Sequence, residues 1–180
     1  MPITFEVPEP VERDSSEFGW YALQVKAGRE KSVAGLLRNK GFAEFLPLYA
    51  SYRRWSDRMQ QVDLPLFPGY VFCSFDPHRR LPILITPGVI HIVGLGGTPA
   101  PVDSGEISAL QSVVASGLLM QPWPFLTVGD RVVIQHGPLR NMEGILIEIK
   151  GQRNLILSIT LLQRSVKVCI ERAGVRPVAA

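Results

Sequence analysis

The chain has 180 residues, 46% of them hydrophobic and 19% charged, which is enough for one domain or two small ones with a real core. Its two cysteines, Cys73 and Cys169, lie in apolar strand patterns and read as buried thiols in a reducing cytoplasm rather than as a disulfide framework. No apolar run reaches the roughly 18 residues of a membrane helix, and the N-terminus lacks the basic start and apolar run of a signal peptide. The net charge of +3 is unevenly spread. Residues 1–17 hold five acids and one Arg, residues 18–58 eight bases and three acids, and residues 121–180 eight bases and four acids. Basic surfaces of this kind suit nucleic acid, and a merely solvated surface is the alternative.

Residues 1–17 carry Pro2, Pro8 and Pro10 among scattered acids and are expected to form a disordered acidic tail. A strand follows over 18–26, where Trp20, Ala22 and Gln24 alternate with Tyr21, Leu23 and Val25. Gly28 punctuates. Residues 29–40 read as a helix, with Val33, Leu36 and Leu37 on one stripe and Arg29, Lys31, Arg38 and Lys40 off it. Gly41 is its C′ stop. Residues 45–55 read as a second strand, with Pro47 on an edge and a charged hairpin tip, Arg53, Arg54, Trp55 and Arg58, beyond it.

The return stretch, 64–75, breaks local rules. Pro65 and Pro68 cannot donate to a ladder, and Pro68-Gly69 marks a turn. The chain then becomes strongly β-forming. Tyr70 and Phe72 fall on one strand face and Val71, Cys73 and Phe75 on the other. If one face packs into a core, Phe67 and an aromatic pair are left as an exposed docking patch; if both faces are core, no patch remains.

Asp76-Pro77 predicts an N-cap followed by proline in the first turn, and Pro82 keeps the helix after it short. A strand at 89–93 and a glycine loop at 94–97 follow. That loop lacks the Lys-Ser/Thr and the spacing of a phosphate cradle. Asp103 and Glu106 are spaced as a capping box ahead of a helix to about Ser116, with Gly117 as its stop. The order β, α, β, β, α, β, α fits an α+β sandwich with helices on one face of an antiparallel-rich sheet. Residues 118–126, with Pro122 and Pro124, read as a linker, partly packed through Trp123 and Phe125. Strands at 131–135, 144–150, 154–160 and 165–171, with a short fifth at 175–177, then predict a small barrel.

Four motifs stand in order along the chain: residues 20–30 beginning Trp20-Tyr21, Leu66-Phe67-Pro68-Gly69-Tyr70-Val71-Phe72, residues 96–102, and residues 128–132 followed by Gly137-Pro138 and Glu143-Gly144. Together they resemble the NusG family of transcription elongation factors, from about residue 18 to residue 177. The resemblance implies a ferredoxin-like NGN α/β sandwich over 18–117, a linker over 118–126 and an SH3-like KOW β-barrel over 127–178. It implies that Phe67, Pro68, Gly69, Tyr70 and Phe72 dock on the clamp helices of a bacterial RNA polymerase, holding the clamp closed and suppressing pausing or termination. It places Lys26, Arg29 and Lys31 toward the non-template DNA strand; the charged hairpin tip, through Arg53 and Arg54 with Arg58, is expected from its residues to add a second nucleic-acid contact. It gives Leu139 and Met142 as the barrel's contacts to a ribosomal protein or to Rho. The short segment before the Phe-Pro-Gly-Tyr turn is similar to specialised antiterminators of the RfaH and UpxY groups. However, Arg79-Arg80-Leu81-Pro82 stands where those specialists carry polar gate-loop contacts. A housekeeping factor coupling polymerase to Rho or the ribosome is the alternative.

No catalytic motif emerges from the residues. His78, His91 and His136 share no metal spacing, no Cys pair supports zinc, and no nucleophile elbow is present. The expectation is a monomeric, cytoplasmic binding protein, not an enzyme, without cofactor, metal or membrane partner. His91 is expected to be partly buried and His78 and His136 exposed. The heavy β-branching of residues 132–168 predicts a stable barrel rather than helices. An RNA- or ribosome-binding KOW protein is a further alternative.

Overall fold

A computed structural model describes residues 18–55, 58–123, 130–149, 152–170 and 175–178. The acidic stretch 1–17 and residues 124–126 of the expected linker lie outside these residues. The first unit runs β1 (Trp20–Val25), α1 (Glu30–Asn39), β2 (Ala43–Phe45), β3 (Leu48–Trp55), β4 (Arg58–Pro65), β5 (Tyr70–Ser74), a 3-10 turn (Pro77–Arg79), α2 (Leu81–Leu84), β6 (Val89–Ile92), β7 (Gly94–Leu95), β8 (Thr98–Pro99), β9 (Pro101–Val102) and α3 (Ser104–Ser116). The second holds β10 (Met120–Trp123), β11 (Asp130–Ile134), β12 (Glu143–Ile149), β13 (Gln152–Ile159), a 3-10 turn (Thr160–Leu162), β14 (Arg164–Cys169) and β15 (Val175–Pro177).

The central sheet has the order β2-β5-β1-β6, with β9 beside the start of β1, and its pairs are antiparallel. The period of two in β1 and β5 buries both faces. Tyr21, Leu23, Val25, Val71, Cys73 and Phe75 pack with Val33, Ala34 and Leu37 of α1 and Ile83 of α2. Ala22 and Phe72 face the other way, toward Ile107, Leu110 and Val113 of α3. The sandwich therefore differs from the expected one-sided arrangement, with α1 and α2 on one face and α3 on the other. The helix order could not reveal this, because α3 reads as an ordinary amphipathic helix whichever face it covers.

Helix ends follow the predicted chemistry. Gly41, at φ 80°, follows α1, and Gly117, at φ 67°, closes α3 in the left-handed conformation that glycine adopts without strain. Asp76 accepts from the His78 N–H at 2.9 Å, and Asp103 from the Glu106 N–H at 3.1 Å. Pro82 leaves α2 only one turn long. The expected strand 45–55 is split at Pro47. Its first part, β2, joins the central sheet, while β3 pairs only with β4, in register from Leu48↔Pro65 to Trp55↔Arg58. That two-stranded hairpin stands apart from both larger sheets.

The second unit is an antiparallel sheet of order β10-β14-β13-β12-β11-β15. Four of its strands fall where the alternation predicted them, as strands and not helices. The stretch read as linker contributes β10, which pairs with β14 from Met120↔Val168 to Trp123↔Ser165. Pro122 is accommodated because β10 is an edge strand and needs no outward N–H. The proline signal was real, but it marked an edge. His91 is exposed rather than partly buried, while His78 and His136 are exposed as expected. Among the described residues no helix is long and apolar enough to cross a membrane.

Cys73 is fully buried, Cys169 half-buried, and neither is in a disulfide. Burial first, and the Glu44 carboxylate second, push the Cys73 thiol up to about 12 from its usual 9.0. The unfolded thiol ionises near its usual value while the folded one holds its proton. Stability from this group is therefore intact below about pH 9 and falls as pH rises toward 12, by about 1.4 kcal/mol per pH unit. Urea unfolding at pH 8 and at pH 10.5 will show a steeper loss for the wild type than for Cys73→Ala. Equal slopes would contradict the assignment.

Candidate binding surface

The Phe-Pro-Gly-Tyr stretch is a four-residue turn. Pro68 occupies its second position, Gly69 its third at φ 82°, and the Tyr70 N–H donates to the Phe67 carbonyl at 3.1 Å. This is the type II pattern, which needs a positive φ at the third residue. The Gly69 peptide is held on both sides. Its N–H donates to Oε1 of Glu30 at 2.9 Å, and its carbonyl accepts from the Val25 N–H at 2.8 Å. Glu30 is 5% exposed. It lies on the same helical stripe as Val33 and Leu37, where a carboxylate has no place unless it has a donor. Sequence reasoning passed over it, although that position on the stripe was the available signal.

The aromatic residues that the turn presents are not open to solvent. Phe67 is 1% and Phe72 0% exposed, and Tyr70 is half-buried. The rings of Phe67 and Phe72 meet edge to face at 5.6 Å, and Phe45 and Trp20 continue the array. Ala22, Leu66, Phe67 and Phe72 belong to one apolar cluster with Ile107, Leu110 and Val113 of α3 and with Val132, Ile134, Leu155 and Val166 of the barrel. The expected exposed patch is thus covered within the chain, in a cluster to which α3 and the barrel both contribute. Leu139 and Met142, expected as outward contacts of the barrel's tip loop, are 3% and 9% exposed and belong to the same cluster. The loop folds them inward. Asn141 takes φ 67° and donates its N–H to the Ile134 carbonyl at 2.8 Å.

Among the described residues, two polar contacts join the units beside this cluster. Glu106 does not complete a reciprocal capping box. Its carboxylate instead accepts from the Thr160 N–H at 3.1 and 3.2 Å and from the Thr160 Oγ1 at 2.6 Å. The Arg164 guanidinium lies over the Tyr70 ring, 5.7 Å from its centroid. A crevice of about 720 Å³ remains between α3 and the barrel, with Ser108, Ser112, Arg140 and Asn141 among its walls.

The turn and the first basic group lie at the same end of the sheet. Lys26, Arg29 and Lys31 are all exposed, and Glu30, between them in sequence, is the residue bonded to Gly69. The Lys26 N–H donates to the Gly88 carbonyl at 2.8 Å. Gly88 lies so close to α1 that a Cβ there would meet Val33 at 2.8 Å. Arg29 is the N-cap of α1 and makes no side-chain cap bond. Arg53 and Arg54 are elsewhere, near the far end of the β3–β4 hairpin, roughly 20 Å from its root at Leu48↔Pro65. Their side chains, and that of Trp55, lie outside the described residues.

A family model described as transcription termination factor NusG matches residues 18–111. The transcription termination/antitermination protein NusG of Thermus thermophilus is 29% identical over 172 residues, covering 83% of this chain and 92% of its own. The protein of the same description from Lactococcus lactis is 26% identical over 181 residues, covering 92% and 96%. A solved structure described as domain interaction in Thermotoga maritima NusG shares the fold, with a TM-score of 0.56 at 22% identity over 92% of this chain and 100% of its own.

Removing the Glu30 acceptor leaves the Gly69 N–H unpaired in a half-buried place. Glu30→Ala is expected to cost about 1–3 kcal/mol, whereas Glu30→Gln, which keeps an oxygen there, loses much less. Chemical denaturation of the two variants checks this. Equal losses would show that the carboxylate's packing, not its acceptor, holds the turn.

Proposed function

This chain belongs to the NusG family of transcription termination/antitermination proteins, and we propose that it is an elongation factor whose first unit docks on the clamp helices of bacterial RNA polymerase through the surface around Phe67, Pro68, Gly69, Tyr70 and Phe72. The observation that carries this reading is the Leu66–Phe72 surface itself. It is a rigid turn that gathers aromatic side chains beside the first unit's own core, and a second unit packs over it. On this reading the described conformation is a closed one. Polymerase binds the open form, in which the barrel has left the turn, and the population shifts accordingly. The docked unit bridges the polymerase cleft and holds the clamp closed, which disfavours paused and opened forms. No catalytic group is needed, in keeping with a family of transcription factors rather than enzymes.

Lys26, Arg29 and Lys31 then face the non-template DNA strand, supported by their exposure and by their place beside the docking turn. Arg53 and Arg54 are proposed as a second contact through the hairpin. Opening also releases Leu139 and Met142 from the shared cluster, so a ribosomal protein or Rho would meet the barrel only after polymerase has been engaged. Residues 18–117 are taken as the docking unit and 127–178 as the recruiting one. A second reading, a general factor rather than an operon-specific one, has the support of the relatives from Thermus thermophilus and Lactococcus lactis, which carry the general description.

Binding to purified bacterial core RNA polymerase tests the proposal. Wild type is expected to bind, and a Phe67→Ala/Tyr70→Ala variant, shown to be folded by circular dichroism, to lose binding. Wild type that binds neither core polymerase nor an assembled elongation complex would overturn it.

Closure predicts a second effect of the opposite sign. Glu106→Ala removes the contact to Thr160, worth about 1 kcal/mol net, so its apparent affinity for polymerase rises about fivefold if wild type is mostly closed. An unchanged or weaker affinity in Glu106→Ala would argue that the barrel does not compete for the docking surface.

A further inference from the structure

Residues 119–123, expected as free linker, are tied to the barrel. The Cys169 N–H donates to the Leu119 carbonyl at 3.1 Å, and β10 continues along β14 from Met120↔Val168 to Trp123↔Ser165. The Lys167 ammonium lies over the Trp123 ring, 4.7 Å from its centroid. On the other side, α3 ends at Ser116, with Gly117 as its cap. Only Gly117 and Leu118 therefore stand between the last helical residue and the first residue bonded to the barrel.

These two residues are held lightly. The Gly117 N–H donates to the Val114 carbonyl at 3.4 Å and the Leu118 N–H to Oγ of Ser116 at 3.3 Å, both long bonds. Gly117 has a left-handed φ of 67°, and a Cβ built there would meet nothing within 4 Å. A glycine in open space can leave that conformation for another without a clash. Leu119, next along, is 80% exposed, so no packed side chain there resists a swing.

The barrel can leave the aromatic turn in two ways. β10 can peel from β14 and become part of a long tether, or β10 can stay and the chain can swing at Gly117. Peeling breaks a ladder of four residue pairs, loses the Lys167 contact to Trp123 and bares an edge of β14. Swinging breaks at most two long hydrogen bonds, whose groups then meet water. Loss of the apolar cluster and of the Glu106 contact to Thr160 is common to both routes, so the local interactions decide between them, and they favour the swing.

We propose that Gly117 is the hinge on which the two units part, leaving its left-handed conformation while β10 travels with the barrel. The inference rests on the reading of the described structure as a closed form. It also sets the reach of the parted barrel. Residues 118–126, if free, would span up to about 30 Å, whereas residues 117 and 118 span about 7 Å. The barrel stays beside the C-terminus of α3, and whatever it recruits is held next to the first unit.

Pulsed spin-label distance measurements on the full chain test it without polymerase. The labels sit at Ser32→Cys on α1 and Arg153→Cys on β13, both exposed, in a Cys169→Ala background; Cys73 is buried away from the reagent. Glu106→Ala is expected to raise the long-distance population about fivefold. Gly117→Ala is expected to raise it at least about fivefold, because an alanine is strained in the left-handed conformation of the closed form and relieved by opening. Trp123→Ala, which loosens β10, is expected to leave it unchanged. A rise with Trp123→Ala, or none with Gly117→Ala, would show that β10 peels away, overturning the hinge while leaving closure intact. If even Glu106→Ala shows no long-distance population, the units do not part, and the hinge and the closed-form reading fail together.

Discussion

The Gly69 peptide is the point on which the aromatic surface depends. Glu30 takes its N–H and Val25 donates to its carbonyl, so the turn is fixed to β1 and α1 at once. Everything that follows in β5 inherits its register from that clamp. Tyr70 opposes Gln24, and Phe72 opposes Ala22 on the face turned away from α1. A turn held only by Pro68 would leave the phase of β5 free. Sliding by one residue would exchange Phe72 with Val71 and put the aromatic ring into the α1 core.

The same geometry explains why the two units share a cluster. Ala22 leaves room between the strands, Phe45, Phe67 and Phe72 fill it, Phe67 edge to face on Phe72 and Phe45 tilted against it, and α3 covers only part of the result. The rest of the apolar surface must meet water, a partner or the chain's own barrel. In the described structure it meets the barrel. The flanking polar contacts, Glu106 to Thr160 and Arg164 over Tyr70, are few and lie toward the rim. The apolar cluster thus supplies area, and the polar pairs supply orientation.

Much of this was legible in the residues. The alternation in 20–25 and 131–168, the stripe of α1, the Asp76 and Asp103 caps and the Gly41 and Gly117 stops all follow from local chemistry, and local chemistry prevailed. What was not legible depends on how elements meet. Prolines 122 and 124 read as linker because a sequence cannot show that Met120–Trp123 would find the free edge of β14. The face chosen by α3 leaves no trace in its own periodicity. Leu139 and Met142 are apolar residues in a loop, and they read as partner contacts or as core with equal ease until the loop's path is known. Glu106 was recognised as a capping residue by its spacing from Asp103. Only the arrival of Thr160 gives its carboxylate stronger donors than the single backbone N–H of a capping box.

The covered turn also separates two quantities that an exposed one would merge. With the docking face open, affinity for a partner would be set by the face alone. With the barrel over it, apparent affinity is the intrinsic value scaled by the open fraction, and substitutions far from the face act through that fraction. Leu139 and Met142 lie in the same cluster as Phe67, so on the proposed reading the surfaces for the two partners are hidden together and exposed together. A partner that captures either one raises the availability of the other, and by linkage the effect is reciprocal. That coupling needs no relay through the linker. It follows from a single apolar cluster built from both halves of the chain.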